Sequence, residues 1–385
     1  MINSKEISLY IHIPFCISKC SYCDFFSIAC KDFKNTIPQK YIDALCNEIN
    51  YRMKNLKDLR IKTVYIGGGT PSLLSQAQIK QIVEVIKKVG LSKEYEFTFE
   101  INPDDLSMSL IECLNDCGVN RISCGIQSFS EHVLKNVHRR ASSEQNYKCI
   151  SFLKKNFKGI ISADLICALP EETEKTLIAG LDNLIKNKIP HISFYSLCVE
   201  EETPLGHDIN CGKLEYDFDY ADELWIKGRD YLLSKGYLQY EVSNFCLPGY
   251  ECLHNMAYWT HKNYLGCGSG ATGTIENLRS TNTKNIEEYE NFWLNNRKSA
   301  DKIPQTVEKI EQKTSEFEFF MMGLRTCRGI CPQEYKQFFG KDIPEKVQKK
   351  LEAECKKSQD GFYYLDKDRL LFLNSFLEDL LDFLD

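Results

Sequence analysis

Over roughly the first two hundred residues, short apolar runs alternate with longer stretches in which apolar residues recur every three or four positions. The short runs, near 9–13, 63–66, 95–101, 121–126, 159–166 and 191–197, read as strands. The longer stretches read as amphipathic helices. Thr36 is placed to cap a helix with Ile37 and Pro38 in its first turn, and Tyr41, Leu45 and Ile49 share one face. Ser75 and Gln78 have capping-box spacing ahead of Ile79, Ile82, Val83 and Ile86, and Gly90 ends that helix. Ser107 opens the next helix and Gly118 closes it. A βα alternation repeated about six times means a parallel sheet with helices outside it.

The third run indicates which kind of sheet. Tyr95, Phe97 and Phe99 alternate with Glu96, Thr98 and Glu100, so one face of this strand is polar. A strand buried in a flat parallel sheet is apolar on both faces. The expected fold is therefore α/β, a partial (β/α)6 barrel with a polar interior, over residues 1–235. Beyond residue 200 the rhythm loosens: a helix at 216–235, a strand-like run at 239–244 and a glycine-rich stretch at 266–273. Residues 236–305 are read as an irregular extension. From residue 306 helical patterns lead to a hairpin-like pair (362–365 with 370–373) and a short helix at 376–384, which suggests a small winged-helix-like α+β domain over 306–385.

Composition narrows the function. Apolar residues make up 43% and charged residues 26% of the 385-residue chain, as in ordinary globular proteins. Lys and Arg number 48 against 54 Asp and Glu, a net charge of -6. From residue 306 on, 13 basic residues face 16 acidic ones. Winged helices often bind DNA, but this balance argues against nucleic acid as a partner. No apolar stretch is long enough to span a bilayer, and the first residues lack a signal-peptide pattern, so the cytoplasm is the expected location.

Eighteen cysteines are many for this length. In the cytoplasm thiols stay reduced, so a well-spaced subset points to metal or redox use. Cys16, Cys20 and Cys23, after the first strand, are spaced C-x3-C-x2-C. Three thiolates can bind three corners of a cubane and leave one iron open to the amino and carboxylate groups of a small molecule. A zinc site is the alternative, although structural zinc normally takes four ligands. Cys113/Cys117 and Cys327/Cys331 also have C-x3-C spacing but lack the third cysteine, and are read as structural. Others, such as Cys46, Cys124 and Cys149, lie in apolar patterns and read as small buried hydrophobes.

The run from Tyr10 to Cys16 (YIHIPFC) with Cys20-Ser21-Tyr22-Cys23-Asp24-Phe25 resembles the radical-SAM family of oxygen-independent coproporphyrinogen III oxidases and their relatives, the haem chaperones. The resemblance continues, in the family's order, through Gly67-Gly68-Gly69-Thr70-Pro71-Ser72, Glu100-Ile101-Asn102-Pro103, Gly125-Ile126-Gln127-Ser128-Phe129, Asp164-Leu165-Ile166 and the stretch from Tyr240 to Phe245. It then takes in His254-Asn255 with Tyr258-Trp259 and, loosely, Gly323-Leu324-Arg325. It implies a [4Fe-4S] cluster on Cys16, Cys20 and Cys23 with S-adenosyl-L-methionine at the open iron, cleaved reductively to a 5′-deoxyadenosyl radical. The Gly68-Gly69-Thr70 loop would meet the methionine amino group, Glu100 the ribose, and Tyr10 would flank the cluster. Gln127 follows the fourth strand. Arg139, or its neighbour Arg140, could pair with the methionine carboxylate. Asp164, inside an apolar strand, should meet a ligand or a cation, since an unpaired carboxylate there is costly.

Two features point to the chaperone branch. The oxidases resembled here carry a further cysteine where this chain has Phe25, and they have an extension before the first strand. The segment from His254 to Trp259 resembles the chaperones' His-Asn-x-x-Tyr-Trp motif, tied to haem binding, with His254 the better axial ligand and Cys252 a weaker one. His138, His207 and His261 are read as surface or core residues. Cys167-Ala168 stands where the family has a Tyr and often a Tyr-Gly pair. Three functions follow as expectations. One is a haem chaperone that passes haem to an acceptor protein, with any peripheral membrane association made through that acceptor. The second is an oxidase acting on coproporphyrinogen III. The third is a cysteine-rich protein with a structural metal site. The acceptor's identity and the oligomeric state do not follow from the sequence.

Overall fold

The computed structural model describes residues 5–30, 36–56, 59–295 and 303–384. The alternating region begins with β1 (Glu6–Ile13), a short pair β2 (Phe15–Cys16) and β3 (Ile28–Ala29), α1 (Gln39–Asn55), β4 (Arg60–Gly68), α2 (Gln76–Val89) and β5 (Leu91–Ile101). It continues through α3 (Met108–Cys117), β6 (Arg121–Gln127), α4 (Glu131–Asn136), α5 (Ser143–Asn156), β7 (Ile160–Cys167), α6 (Glu174–Lys186) and β8 (His191–Ser196). The six strands expected from the pattern, β1, β4, β5, β6, β7 and β8, lie side by side in sequence order and run parallel. They form the partial barrel.

The chain then forms α7 (Pro204–Asn210), α8 (Phe218–Ser234), β9 (Leu238–Gln239), β10 (Asn244–Cys246) and α9 (Leu253–Trp259). Next come β11 (Tyr264–Cys267), β12 (Thr272–Ile275), β13 (Leu278–Asn282), α10 (Ile286–Asn295) and β14 (Gln305–Lys309). These strands extend the same sheet at both edges, to the order β14-β13-β12-β11-β1-β4-β5-β6-β7-β8-β10-β9. β11 runs parallel to β1, and the added strands beyond it are antiparallel. The strand-like run at 239–244 is interrupted: Glu241 bridges instead to Thr326.

The last region holds α11 (Gln312–Gly323), α12 (Pro332–Phe339), α13 (Glu345–Glu354), a hairpin of β15 (Lys356–Lys357) and β16 (Tyr363–Tyr364), and α14 (Leu373–Leu384). Its core, with Phe320, Tyr335, Leu351 and Leu380, is a cluster separate from that of the barrel. The hairpin differs from the expected one. β16 pairs back to β15 across a turn closed by Gly361 at φ +85°. Asp366 accepts from the amides of Asp368 and Arg369, so the segment read as a second strand winds into a helical turn before α14.

Local signals explain most helix ends. The Ser75 capping box is present, and Ser107 accepts from Leu110 N–H. The first helix starts later than expected: Pro38 is its N-cap residue, and Thr36 lies outside it. Tyr41, Leu45 and Ile49 are fully buried as expected. So are Cys124 and Cys149, and Cys113 and Cys117 are buried on α3. All eighteen cysteines are free of disulfides.

The polar face of β5 points into the barrel. Phe97 and Phe99 face the helices with no exposed surface, whereas Glu96 and Thr98 are buried inside. Glu96 forms the floor: its carboxylate accepts from the amides of Leu253 (3.0 Å) and His254 (2.9 Å) at the start of α9. Arg121 lies 3.5 Å away and offsets its charge.

The glycine-rich stretch closes the other side. Gly268 has φ +105°, and a Cβ there would sit 2.4 Å from the carbonyl of His12 at the end of β1. Fully buried Glu48 holds this turn against α1, accepting from Gly268 N (2.8 Å), Asn282 Nδ2 (2.7 Å), Tyr289 Oη (2.5 Å) and Arg52 Nε (2.7 Å). Glutamine at 48 would present an amide NH2 among Gly268 N, Asn282 Nδ2 and Arg52 Nε, which only donate. Glu48→Gln should therefore destabilise the protein by about 3 kcal/mol, read as a lower urea midpoint with an unchanged slope.

Candidate functional site

A cavity of about 380 Å³ opens at the C-terminal ends of the barrel strands, the face where βα barrels carry their chemistry. Ten of the twelve candidate residues line it. Cys16, Cys20 and Cys23 occupy one wall and Gly68, Gly69 and Thr70 the end of β4; Glu100, Gln127 and Asp164 come from β5, β6 and β7, and Arg139 from the segment between α4 and α5. Tyr10 and His254 are not among the lining residues.

The cysteine loop is pinned from several sides. Phe15 and Cys16 pair with Ile28 and Ala29, the amide of Cys23 bonds to the carbonyl of Cys20, and Ser21 bonds to the backbone of Val137 and Leu205. His12 Nε2 lies 2.9 Å from the Phe26 carbonyl, and Tyr10 Oη lies 2.8 Å from His12 Nδ1. Tyr10 thus acts on the loop from behind, through His12. Gly68, at φ +115°, leaves room for this ring: a Cβ there would sit 2.6 Å from it.

The sulfurs are crowded together. Burial pushes the Cys23 thiol up to about 11, and Cys20 and Cys16 add to the effect while the Phe25 amide and Lys19 oppose it. Among the described residues no three His, Cys, Asp or Glu side chains converge as on a single ion. A cubane does not require this, because each cysteine binds a different iron. Several donors meet the sulfurs: Thr70 Oγ1 lies 3.4 Å from Cys16 Sγ, Arg139 Nη1 lies 3.7 Å from Cys20 Sγ, which the Tyr22 hydroxyl also meets, and the Phe25 amide bonds to Cys23. Three thiols facing a cavity, each met by a donor, fit a three-ligand cluster.

Glu100 accepts from Tyr65 Oη (2.8 Å) and Gly68 N (3.1 Å). Burial, with Asp164 nearby, lifts its carboxyl to about 7 against these two bonds. Asp164 meets serines: Ser123 donates to both carboxylate oxygens at 3.0 and 2.8 Å, with Ser162 at 3.5 Å, and the charge of Arg121 also favours its ionised form. Its carboxylate faces the cavity. Gln127 sits at a register shift in β6 with φ +66°.

The two arginines separate clearly. Arg140 is committed to Asp104 and Asp105. Arg139 Nη2 donates to Asn102 Oδ1 (2.7 Å) and the Gly125 carbonyl (2.6 Å), while its buried Nε has no partner. Nε is therefore the one nitrogen of Arg139 without a hydrogen-bond partner among the described residues. Asn102 was missed as a site residue. The signal was available: two positions after Glu100, it continues the inward face of β5.

His254 is placed elsewhere. It is fully buried in the barrel floor, with Nδ1 2.8 Å from Thr63 Oγ1 and Nε2 2.8 Å from Tyr258 Oη. Burial lowers its imidazole to about 3, so it is neutral. Cys252 is buried beside it, 3.3 Å from Glu96. His138 and His207 are on the surface, and His261 bonds to the Glu318 carbonyl.

Comparison with known proteins agrees with this geometry. The Radical SAM superfamily model matches residues 10–183 and the HemN C-terminal domain model residues 310–370. The solved coproporphyrinogen III oxidase HemN of Escherichia coli, a radical SAM enzyme, superposes with a TM-score of 0.81, covering 97% of this chain and 90% of that one at 18% identity, which shows a shared fold. Fold and site define a radical SAM protein, a class that implies a [4Fe-4S] cluster and S-adenosylmethionine.

Relatives named heme chaperone HemW match along nearly their whole length. The protein of Buchnera aphidicola subsp. Schizaphis graminum is 32% identical over 99% of this chain and 100% of its own. That of Lactococcus lactis is 33% identical over 98% of each, and that of Escherichia coli 30% identical over 98% of this chain and 99% of its own. The chain belongs to the HemW family.

Beside the pocket, Glu172 ties two strained turns together. It accepts from Ala168 N (2.9 Å) and Ser128 Oγ (3.2 Å), and Ser128 follows Gln127. Ala168 itself has φ +62°. Ala168→Gly should relieve this strain and raise stability by about 1 kcal/mol, read by thermal unfolding. Burial raises the Glu172 carboxyl from its usual 4.5 to about 8. The folded protein then keeps a proton that the unfolded chain releases, so this group's contribution is present below about pH 4.5 and is lost as pH rises toward 8. Glu172→Gln should remove up to about 1.4 kcal/mol per pH unit of that decline, measured by urea unfolding across the window.

Proposed function

We propose that this protein is a haem chaperone that binds haem and passes it to an acceptor protein, with a [4Fe-4S] cluster on Cys16, Cys20 and Cys23 and S-adenosylmethionine at the open iron. The observation that carries the reading is full-length relationship to heme chaperones. Phe25 supports it. It stands 68% exposed at the cavity rim, where the resembling oxidases have a further cysteine.

In this reading Gly68 and Gly69 present backbone to the methionine amino group, and Glu100 accepts from the ribose. Gln127 and Asp164 line the nucleoside side, and Arg139 pairs with the methionine carboxylate. Tyr10 steadies the loop through His12. When bound, the cluster supplies an electron for reductive cleavage of the sulfonium. His254 reaches haem iron only if it gives up Thr63 or Tyr258, because both ring nitrogens are engaged. The protein works in the cytoplasm. Among the described residues no helix is long and apolar enough to cross a membrane, and membrane contact comes through the acceptor.

Haem titration of anaerobically reconstituted protein tests the reading. A saturable Soret shift is expected, and its absence would overturn the proposal. So would conversion of coproporphyrinogen III to protoporphyrinogen at a catalytic rate. His254→Ala should leave the Soret maximum of the complex in place while lowering thermal stability. A displaced maximum would instead assign His254 to the iron.

A further inference from the structure

Two of the donors that reach the cluster cysteines, Thr70 and Arg139, lead back to one side chain. Asn102 donates from Nδ2 to Thr70 Oγ1 at 3.3 Å and accepts at Oδ1 from Arg139 Nη2 at 2.7 Å. Thr70 in turn meets Cys16 Sγ, and Arg139 meets Cys20 Sγ. The circuit runs from one cysteine to another across the ends of β4, β5 and β6.

The amide cannot be turned round. A guanidinium only donates, so Oδ1 must face Arg139 and Nδ2 must face Thr70. Thr70 has a single hydroxyl proton. With Nδ2 donating to its oxygen, that proton is turned outward, and the Cys16 sulfur is the acceptor it meets. On the other arm, Nη2 is fixed by Asn102 and the Gly125 carbonyl together, which sets the guanidinium plane and aims Nη1 at Cys20. Asn102 is itself locked from behind. Its backbone amide bonds to Ser72 Oγ at 3.2 Å, and Ser72 donates to Asp105 at 2.7 Å.

We propose that Asn102 is a positioning residue that raises the reduction potential of a cluster on Cys16, Cys20 and Cys23, by fixing two of the donors that reach its protein sulfurs. The inference rests on the cluster reading above. Hydrogen bonds to ligand sulfur favour the more negative, reduced cluster and so raise its potential. Asn102 touches neither sulfur and acts only through Thr70 and Arg139.

The test is an EPR-monitored redox titration of the full chain, reconstituted anaerobically and without S-adenosylmethionine. Asn102→Ala should shift the reduction equilibrium about tenfold toward the oxidised cluster, a fall of about 59 mV for one electron. Thr70→Val should give part of that fall, and Thr70→Ser, which keeps the hydroxyl, should restore the wild-type value. The shift of the Asn102→Ala/Thr70→Val double variant should be smaller than the sum of the single shifts, because both act on one bond. A residue with only a packing role would lower the unfolding temperature and leave the potential in place.

A wild-type midpoint in Asn102→Ala, or fully additive single shifts, would overturn the proposal. If Asn102→Ala does not fold, Thr70→Val carries the test alone, and a wild-type midpoint there overturns it equally. Absence of any cubane signal in the wild-type protein removes the cluster reading itself, an outcome distinct from an unchanged midpoint.

Discussion

A barrel that keeps polar side chains inside must find each of them a partner, and that requirement orders this molecule from floor to mouth. Burying an ionised carboxylate alone would cost several kcal/mol. At the floor, Glu96 is met by Arg121 and by the first amides of α9. One layer up, Glu100 is met by Tyr65 and the backbone of Gly68, and Asp164 by serines. At the mouth Asn102 bonds to both Thr70 and Arg139, and each of those two turns a donor toward sulfur. Polar partnering inside thus ends, at the open end, in a set of groups suited to a buried anionic cofactor.

The cysteine loop inherits its rigidity from structure on the far side of β1. The glycine turn after β11 packs against the end of β1, and Glu48 clamps that turn to α1. Tyr41 adds a second tie, donating to the His12 carbonyl and accepting from Ser269 N. His12 then reaches across to Phe26 at the close of the cysteine loop. The sheet extension at residues 264–282 therefore braces the strand that carries the chemistry, although it contributes no residue to the cavity lining.

Features that depend on neighbours in sequence were legible; those that depend on distant partners were less so. The cysteine spacing, the capping boxes and the alternation of Glu96, Thr98 and Glu100 are local, and each could be read directly. The alternation also announced Asn102, but only the fold shows that Thr70 and Arg139, 32 and 37 residues away, converge on it. The serines around Asp164 come from three separate strands, whose register no local pattern reveals. The C-terminal hairpin was mispaired for a related reason. Two short apolar runs either side of Asp366 look like strands, yet a single side chain accepting two amides is enough to turn the second into a helix start.

The segment from His254 to Trp259 joins the barrel floor to the C-terminal part of the chain. His254 and Tyr258 are four residues apart, so one helical turn brings them onto the same face, and they bond to each other. That face looks into the barrel, where His254 meets Thr63 and its ring lies 5.2 Å from Tyr65, which in turn donates to Glu100. Trp259, one position on, must point elsewhere, and it lies under Arg325 from the C-terminal part of the chain. His261 continues the contact by stacking on Phe319. A compact His-x-x-x-Tyr-Trp spacing is thus what a short helix needs to plug a barrel on one side and seat a second domain on the other. The same residues could serve a metal only by giving up one of those two tasks.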